Sequence, residues 1–160
     1  MAQKILICLD ASDNAMRGVE RVARTFGQVP DATVTLFHVL PGLPPRFLEE
    51  GLIPTPEQKR ARDQLIEDWK KDQEKAWDKI FREAQSLLMH HGFKQEAITN
   101  KFVPQYFDVA REILDEGEDG GYDIVVLGRR GLSPVKALLM GSVSRKVTEY
   151  GKKFSVTVVD

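Results

Sequence analysis

Strand-like and helix-like segments alternate along the whole chain, and this alternation constrains the fold more than any other feature. Most strand-like runs are nearly continuous apolar sequence, as in ILICL at Ile5–Leu9, which is typical of strands covered on both faces of a parallel sheet. Strands separated by helices predict an open, mostly parallel α/β sheet with helices on both faces. The predicted strands are Lys4–Leu9, Thr33–Leu40, Ala97–Val103, Asp123–Leu127 and Phe154–Val159.

The helical patterns between these strands differ in length. Five prolines from Pro41 to Pro56 predict a loop or lid. A long, charge-rich helix then runs from Pro56 to His90-His91-Gly92, and its roughly 35 residues exceed what a sheet face needs, so its first turns should project or bend. The other predicted helices are a stripe from Ala15 to Phe26 stopped by Gly27, a helix at Tyr106–Leu114 stopped by Gly117, and Ser142–Tyr150.

Length and composition narrow the functional classes. The 160 residues are expected to form one domain over 1–160, with the proline-rich loop and long helix at about 41–91 inside it. The formal net charge of −1 gives no field toward nucleic acid or a membrane surface. A single cysteine, Cys8, excludes an intramolecular disulfide and a cysteine-based zinc cluster. With no secretory signal and no apolar run near ~18 residues, a cytoplasmic location is expected.

Ligands of open parallel sheets bind at the carboxyl ends of the strands, where the strand order reverses. The first predicted strand ends at Asp10, the better candidate for a ligand contact, whereas Asp13 suits the N-cap or first turn of the next helix. The second ends at His38 and Val39, and His38 is expected to be a packed core histidine.

A glycine motif follows the fourth predicted strand and opens a helix. It places Gly128, Gly131 and Gly141 before Ser142. Glycines let the backbone approach phosphate oxygens closely, and the start of a helix offers unpaired N–H donors. The motif therefore suits a phosphate cradle, although three unrelated turns would give the same glycines.

The sequence lacks the motifs of other nucleotide-binding sites and of metal-binding sites. The chain has no Gly-Lys-Ser or Gly-Lys-Thr of a P-loop, and no G-x-G-x-x-G follows the first strand. His90 and His91 are adjacent and cannot share a helix face as metal ligands, so no protein-held metal is expected. No carboxylate is fixed near the motif as a general base, so no catalytic residue is assigned.

The motif, written G-x2-G-x9-G-[S/T], together with Leu9-Asp10-Ala11-Ser12 and His38-Val39, resembles the universal stress protein family over the whole chain. The resemblance implies a Rossmann-like five-stranded parallel sheet in the order 3-2-1-4-5. It also implies ATP binding, with Mg²⁺ carried on the phosphates. Homodimers formed through the last strand, Phe154–Val159, are a further implication.

The same resemblance assigns roles to residues. Asp10 would hydrogen-bond the ribose, and backbone groups near Val39 would recognise adenine. The ribose and phosphates would be bound by Gly128, Gly131, Gly141, Ser142, Val143 and Ser144. Arg130, at a variable position of the motif, could reach a phosphate, or it could be a solvated loop arginine.

The resulting hypothesis is an ATP-binding stress-response homodimer in which nucleotide occupancy biases conformation or partner choice. Two alternatives stay open. One is a slow ATP hydrolase. The other is a nucleotide-free dimeric interaction module that captures an unknown protein through the surface at 41–77.

Overall fold

The computed structural model describes residues 2–42, 44–45, 54–129 and 140–160. Arg130 and Gly131 of the glycine motif lie outside these described residues. The chain forms, in order, β1 Lys4–Cys8, α1 Asp13–Phe26, β2 Thr33–Leu40, α2 Pro56–His90, a 3₁₀ turn at Gln95–Ala97, β3 Ile98–Pro104, α3 Val109–Asp119, β4 Ile124–Gly128, α4 Ser142–Tyr150 and β5 Ser155–Val159.

All five strands pair in parallel, in the order β3-β2-β1-β4-β5. This confirms the expected single α/β domain and its strand order. From β1 the chain moves outward through β2 to β3, then crosses back to the other side of β1 for β4 and β5. The order therefore reverses between β1 and β4, and their carboxyl ends border the crevice where such sheets bind ligands.

Two apolar layers cover the sheet because successive strand side chains point to opposite faces. Ile5 and Ile7 of β1 pack with α1 and α2, whereas Leu6 between them packs with α3 and α4. The first layer also contains Val19, Val22, Val34, Leu36, Phe81, Ala84 and Leu88, and the second contains Phe37, Val39, Ala110, Ile113, Val125, Leu127 and Val147.

The strand ends agree with the sequence prediction to within one residue. Pro104 is the last residue of β3 and pairs with Leu40. A proline is tolerated here because β3 is an edge strand with a neighbour on one side only.

The start of α1 decides between the two roles expected of Asp13. Ser12 is the N-cap, and its hydroxyl accepts a hydrogen bond from the Ala15 N–H at 3.2 Å, whereas Asp13 lies in the first turn.

The prediction for α3 is wrong at both ends. The helix begins at Val109, after Asp108 caps it by accepting from the Arg111 N–H at 3.0 Å. It passes through Gly117, which was expected to stop it. A Cβ added at Gly117 would lie 2.5 Å from the Phe154 ring. This glycine therefore makes room for an aromatic ring from the segment before β5, and does not end the helix.

The long helix α2 covers the sheet only with its C-terminal part. Thr55 and Gln58 form a capping box at its start, and Pro56 is its first residue. Its buried residues are Phe81, Ala84 and Leu88, so no residue from Pro56 to Ile80 is buried. Because α2 returns the chain from the carboxyl end of β2, these earlier turns lie toward the carboxyl edge of the sheet. Within the described ranges, no helix is long and apolar enough to cross a membrane.

Candidate functional site

A cavity of about 400 Å³ opens at the carboxyl edge of the sheet, at the reversal of strand order. That size lies in the range of small-molecule sites. Its walls come from the ends of β1, β2 and β4 and from all four helices. The lining residues include Cys8, Asp10, Ala15, His38, Val39, Trp77, Val109, Ile113, Gly128, Gly141, Ser142, Val143 and Ser144. Seven of the nine sequence-predicted site residues therefore meet around one cavity, and the other two, Arg130 and Gly131, lie outside the described residues.

Asp10 sits at the β1 end of the cavity, half-buried in the turn that leads into α1. Its Oδ1 accepts a hydrogen bond from the Ser12 N–H at 2.8 Å. This bond fixes the carboxylate at the turn. Asp10 is the only carboxylate among the described residues that line the cavity. It is thus the acceptor available there for a ligand hydroxyl.

Val39 presents its backbone to the cavity from β2. The C=O of Phe37 accepts from the Leu9 N–H at 2.7 Å, so the polar backbone groups of Phe37 face β1. Those of Val39, two residues further on, face the same way, but β1 has ended at Cys8. Leu40 faces the other way, since its C=O accepts from the Gln105 N–H. Val39 therefore offers one donor and one acceptor side by side at the point where its neighbour strand stops.

The N-terminus of α4 forms the opposite wall. Gly141 is its N-cap and offers no side-chain acceptor. The first intrahelical bond runs from the Arg145 N–H to the Gly141 C=O at 3.0 Å. The N–H groups of Ser142, Val143 and Ser144 precede that bond and lie at the positive end of the helix dipole. This arrangement suits an anion.

The Ser144 side chain stabilises the fold at this wall of the cavity. Its buried hydroxyl donates to the Gly128 C=O at 2.6 Å, which ties the first turn of α4 to the end of β4. Ser142 is exposed at the first position of the helix, and Val143 is half-buried. Of the two serines predicted from the motif, Ser142 is therefore the one whose side chain is placed to meet a ligand.

The glycines at the two described motif positions do not need left-handed backbone. The positive-φ glycines of the described chain are Gly42, Gly92 and Gly121. Gly128 is instead needed for a close approach, because an added Cβ would lie 3.0 Å from the Asn14 Cβ and 3.3 Å from the Ala15 backbone nitrogen. Gly128 thus lets the end of β4 sit against the first turn of α1, and this brings two walls of the cavity together.

Two residues of the cavity wall form an aromatic pair. His38 is 7% exposed, and its ring centroid lies 3.5 Å from that of Trp77 on α2. Its Nδ1 lies 2.7 Å from the Leu9 C=O. Burial lowers the pKa of His38 below its usual 6.5, against smaller opposing effects of the Leu9 carbonyl and the Asp10 charge. His38 is thus the packed core histidine expected from the sequence.

Trp77 is an aromatic residue among the cavity-lining residues that sequence reasoning did not assign to the site. Trp69 and Trp77 lie at helical spacing on α2, a pattern that by itself predicts a core or interface surface for both. The residues lining the cavity include Trp77 but not Trp69. No local sequence signal separates Trp77 from Trp69, since only the structure shows that Trp77 lies one turn before Phe81, the first buried residue of α2.

Cys8 lines the cavity, and Arg129 directly follows Gly128 at the end of β4. Burial raises the pKa of the Cys8 thiol, with smaller contributions from Glu116 and Asp10, so the thiolate is disfavoured. Nη1 of Arg129 lies 3.0 Å from the Asp160 carboxylate. Among the described residues, no cluster of three histidine, cysteine or carboxylate side chains could hold a metal ion.

Comparison with known proteins places the sequence in one family. The model of the Universal stress protein family matches residues 1–160. The Universal stress protein YxiE of Bacillus subtilis (strain 168) is 25% identical over 150 residues, which make up 93% of this chain and 93% of YxiE.

Solved structures share the fold over nearly the whole chain. Hypothetical protein MJ0577 matches with a TM-score of 0.71 at 24% identity, covering 98% of this chain and 94% of that one. A universal stress protein in complex with cAMP matches at 0.62 and 19% identity, over 99% and 96% of the two chains. The universal stress protein from Archaeoglobus fulgidus in complex with dAMP matches at 0.56 and 17%, over 100% and 98%.

Proposed function

Because the chain belongs to the universal stress protein family, we propose that its cavity binds an adenine nucleotide, with ATP as the working ligand. In this proposal the protein is a cytoplasmic stress-response homodimer whose conformation or partner choice depends on nucleotide occupancy. One observation carries the binding proposal: the uncapped N-terminus of α4 faces Asp10 and the open backbone groups of Val39 across a single cavity.

The phosphates belong at the α4 wall. The N–H groups of Ser142, Val143 and Ser144 supply donors, and the helix dipole favours negative charge there. Mg²⁺ would be carried on the phosphate oxygens, since this ion keeps several waters and needs few protein ligands. Arg130 and Gly131 stay proposed contacts from the sequence motif alone.

The adenine and ribose belong at the β2 and β1 walls. The donor and acceptor of Val39 match the paired acceptor and donor on the edge of adenine, and Asp10 suits a ribose hydroxyl. The relatives in complex with cAMP and dAMP support an adenine ligand of this kind. The proposal concerns binding only, because Asp10 is the one described cavity carboxylate and the ribose occupies it.

The homodimer is proposed to form through β5. Ser155–Val159 is an edge strand in the sheet order, and Val156 and Val158 are half-buried although no strand of the described residues lies beyond β5. An unpaired apolar edge favours pairing with a second copy. The part of α2 from Pro56 to Trp77, which has no buried residue, is proposed as the part of the 41–77 surface that binds a further protein partner.

Calorimetry on nucleotide-stripped protein tests the binding proposal. We expect ATP with Mg²⁺ to bind at one site per chain, and mass spectrometry of the material released on denaturation to identify an adenine nucleotide. GTP should bind more weakly, because its base presents the opposite donor and acceptor pattern to Val39. Absence of heat with ATP, ADP and AMP alike, together with no co-purified nucleotide, would refute the proposal.

A further inference from the structure

The indole of Trp77 has a fixed place at one corner of the cavity. It packs on the His38 ring with a centroid distance of 3.5 Å and an interplanar angle of 32°. His38 is itself held by the Leu9 carbonyl, 2.7 Å from Nδ1. The contact of Leu9 with His38 and that of His38 with Trp77 thus link the end of β1 to α2 and position an aromatic ring beside the cavity.

Trp77 packs against the first apolar layer but also lines the cavity, so one part of its side chain is left for a ligand. No described α2 residue before Phe81 is fully buried, and Trp77 is half-buried at that boundary. Trp69 is also half-buried, but lies about 12 Å earlier along the helix. The chain therefore carries its two tryptophans on one helix, with one at the cavity and one away from it.

The corner also contains a polar atom that the described protein atoms leave unpaired. A carbonyl oxygen only accepts, so Nδ1 of His38 carries the proton and Nε2 of the neutral ring is an acceptor. Nε2 is buried and has no hydrogen-bond partner among the described residues. Buried acceptors without a partner are rare in proteins, and this one indicates a contact that the described residues do not complete.

Trp77 lies on the side of the cavity that should hold the base. Its partner His38 is the immediate neighbour of Val39 on β2, whereas the anion wall of Gly128 and α4 lies beyond β1 on the β4 side. A nucleotide with its phosphates at α4 extends its base toward β2. Resting on the proposed nucleotide function, we propose that the Trp77 indole contacts the nucleobase and makes α2 part of the binding site.

Fluorescence of the two single-tryptophan proteins tests this contact. In the Trp69→Phe protein all indole emission comes from Trp77, and we expect adenosine and ATP to quench or shift it. Ribose 5-phosphate, which has no base, should leave it unchanged. The Trp77→Phe protein is the matched control, because its emission comes from Trp69 and should not respond to any of the three.

Affinity gives a second readout on the same site. Trp77→Ala should weaken adenosine and ATP binding by the same factor, about tenfold, because base stacking is lost while the phosphate contacts remain. Trp77→Phe keeps a ring and should lose less. Thermal unfolding of each variant establishes that it is folded before its affinity is compared.

The outcomes separate this proposal from the binding proposal. If the wild-type protein binds ATP but Trp77 emission does not respond, and Trp77→Ala binds as tightly as wild type, the base contact is wrong and the nucleotide site stands. If the wild-type protein binds no nucleotide by calorimetry, both proposals fail. A response of Trp77 to adenosine with the predicted loss of affinity supports both.

Discussion

Ser142 is the residue at which an added charge tests the proposed phosphate site. It is exposed at the first position of α4, where the helix dipole stabilises an acidic side chain. Ser142→Asp should therefore leave the free energy of unfolding unchanged or slightly higher, while repelling a phosphate group. We expect ATP affinity to fall by about tenfold or more and adenosine affinity to change little.

Ser142→Asn is the control for that substitution, since it has nearly the same shape as aspartate without the charge. It should bind ATP much more tightly than Ser142→Asp. Equal losses for the two variants, measured by calorimetry, would mean that shape and not charge is sensed at this position, and would count against a phosphate at the α4 wall.

We expect the buried His38 to make the stability of the fold depend on pH. Burial lowers its pKa below the 6.5 expected when unfolded, so at a pH between the two values the unfolded chain binds more protons. The free energy of unfolding should be unaffected by His38 above pH 6.5 and should decrease as the pH falls through the folded pKa. Asp10 is the charged group acting on this ring; Trp77 and Phe102 present uncharged rings to it.

Urea unfolding at about pH 7.5 and about pH 5.5 measures this effect. His38→Asn keeps a donor for the Leu9 carbonyl but cannot titrate, so it should show a smaller loss of stability between the two values than wild type does. An equal loss in both proteins would show that other groups cause the pH dependence.

At the scale of elements, α3 shows how tertiary packing overrides a local signal. The Phe154 ring lies between Gly117 and Gly151, where an added Cβ would meet it at 2.5 and 2.7 Å. Helix propensity alone predicts that Gly117→Ala stabilises α3 by about 1 kcal/mol. We expect destabilisation by about 1–3 kcal/mol instead, because the ring is confined on both sides.

A double-mutant cycle identifies the cause of that destabilisation. In a Phe154→Leu background the smaller side chain frees space, so Gly117→Ala should cost less than in the wild-type background, as measured by urea unfolding. The same cost in both backgrounds would show that the ring is not what excludes the Cβ. If Gly117→Ala instead stabilises the wild-type protein, as helix propensity predicts, the packing argument is wrong.

The bounds of most helices and strands can be predicted from the sequence, because the residues that set them lie within or next to the element. The apolar runs and the residues that end them predict the strand bounds to within one residue. Both ends of α4, Ser142–Tyr150, are also predicted correctly. Gly117 was misread because the same residue that stops helices also makes room for a ring, and the ring is 37 positions away in the sequence, at Phe154. Local pattern contains no information about that partner.

At the scale of the whole molecule, the proposed homodimer depends on the outer edge of β5. The Ser155 N–H donates to the Asp123 C=O, and the Val159 C=O accepts from the Arg129 N–H. The odd-numbered residues of β5 therefore direct their backbone groups to β4, and Val156 and Val158 direct theirs to the open edge.

Val156→Pro should convert the proposed dimer to a folded monomer, because it removes an outward N–H without breaking the pairing to β4. Thr157→Pro is the matched control: it removes an inward N–H and should lower the stability of the sheet itself. Sedimentation gives the assembly state, and circular dichroism with thermal unfolding gives the fold. A Val156→Pro protein that stays dimeric would rule out pairing through β5.

The sequence by itself determined the order of elements, the parallel α/β class and the position of the glycine motif before α4, because each depends on local periodicity and end signals. Only the tertiary structure decided which groups meet at the cavity. The end of β1 leaves the backbone of Val39 open, the close approach of Gly128 to α1 joins two walls, and α2 brings Trp77 onto His38. These contacts join residues far apart in the chain, and the physical cause is the strand order, which no single segment encodes.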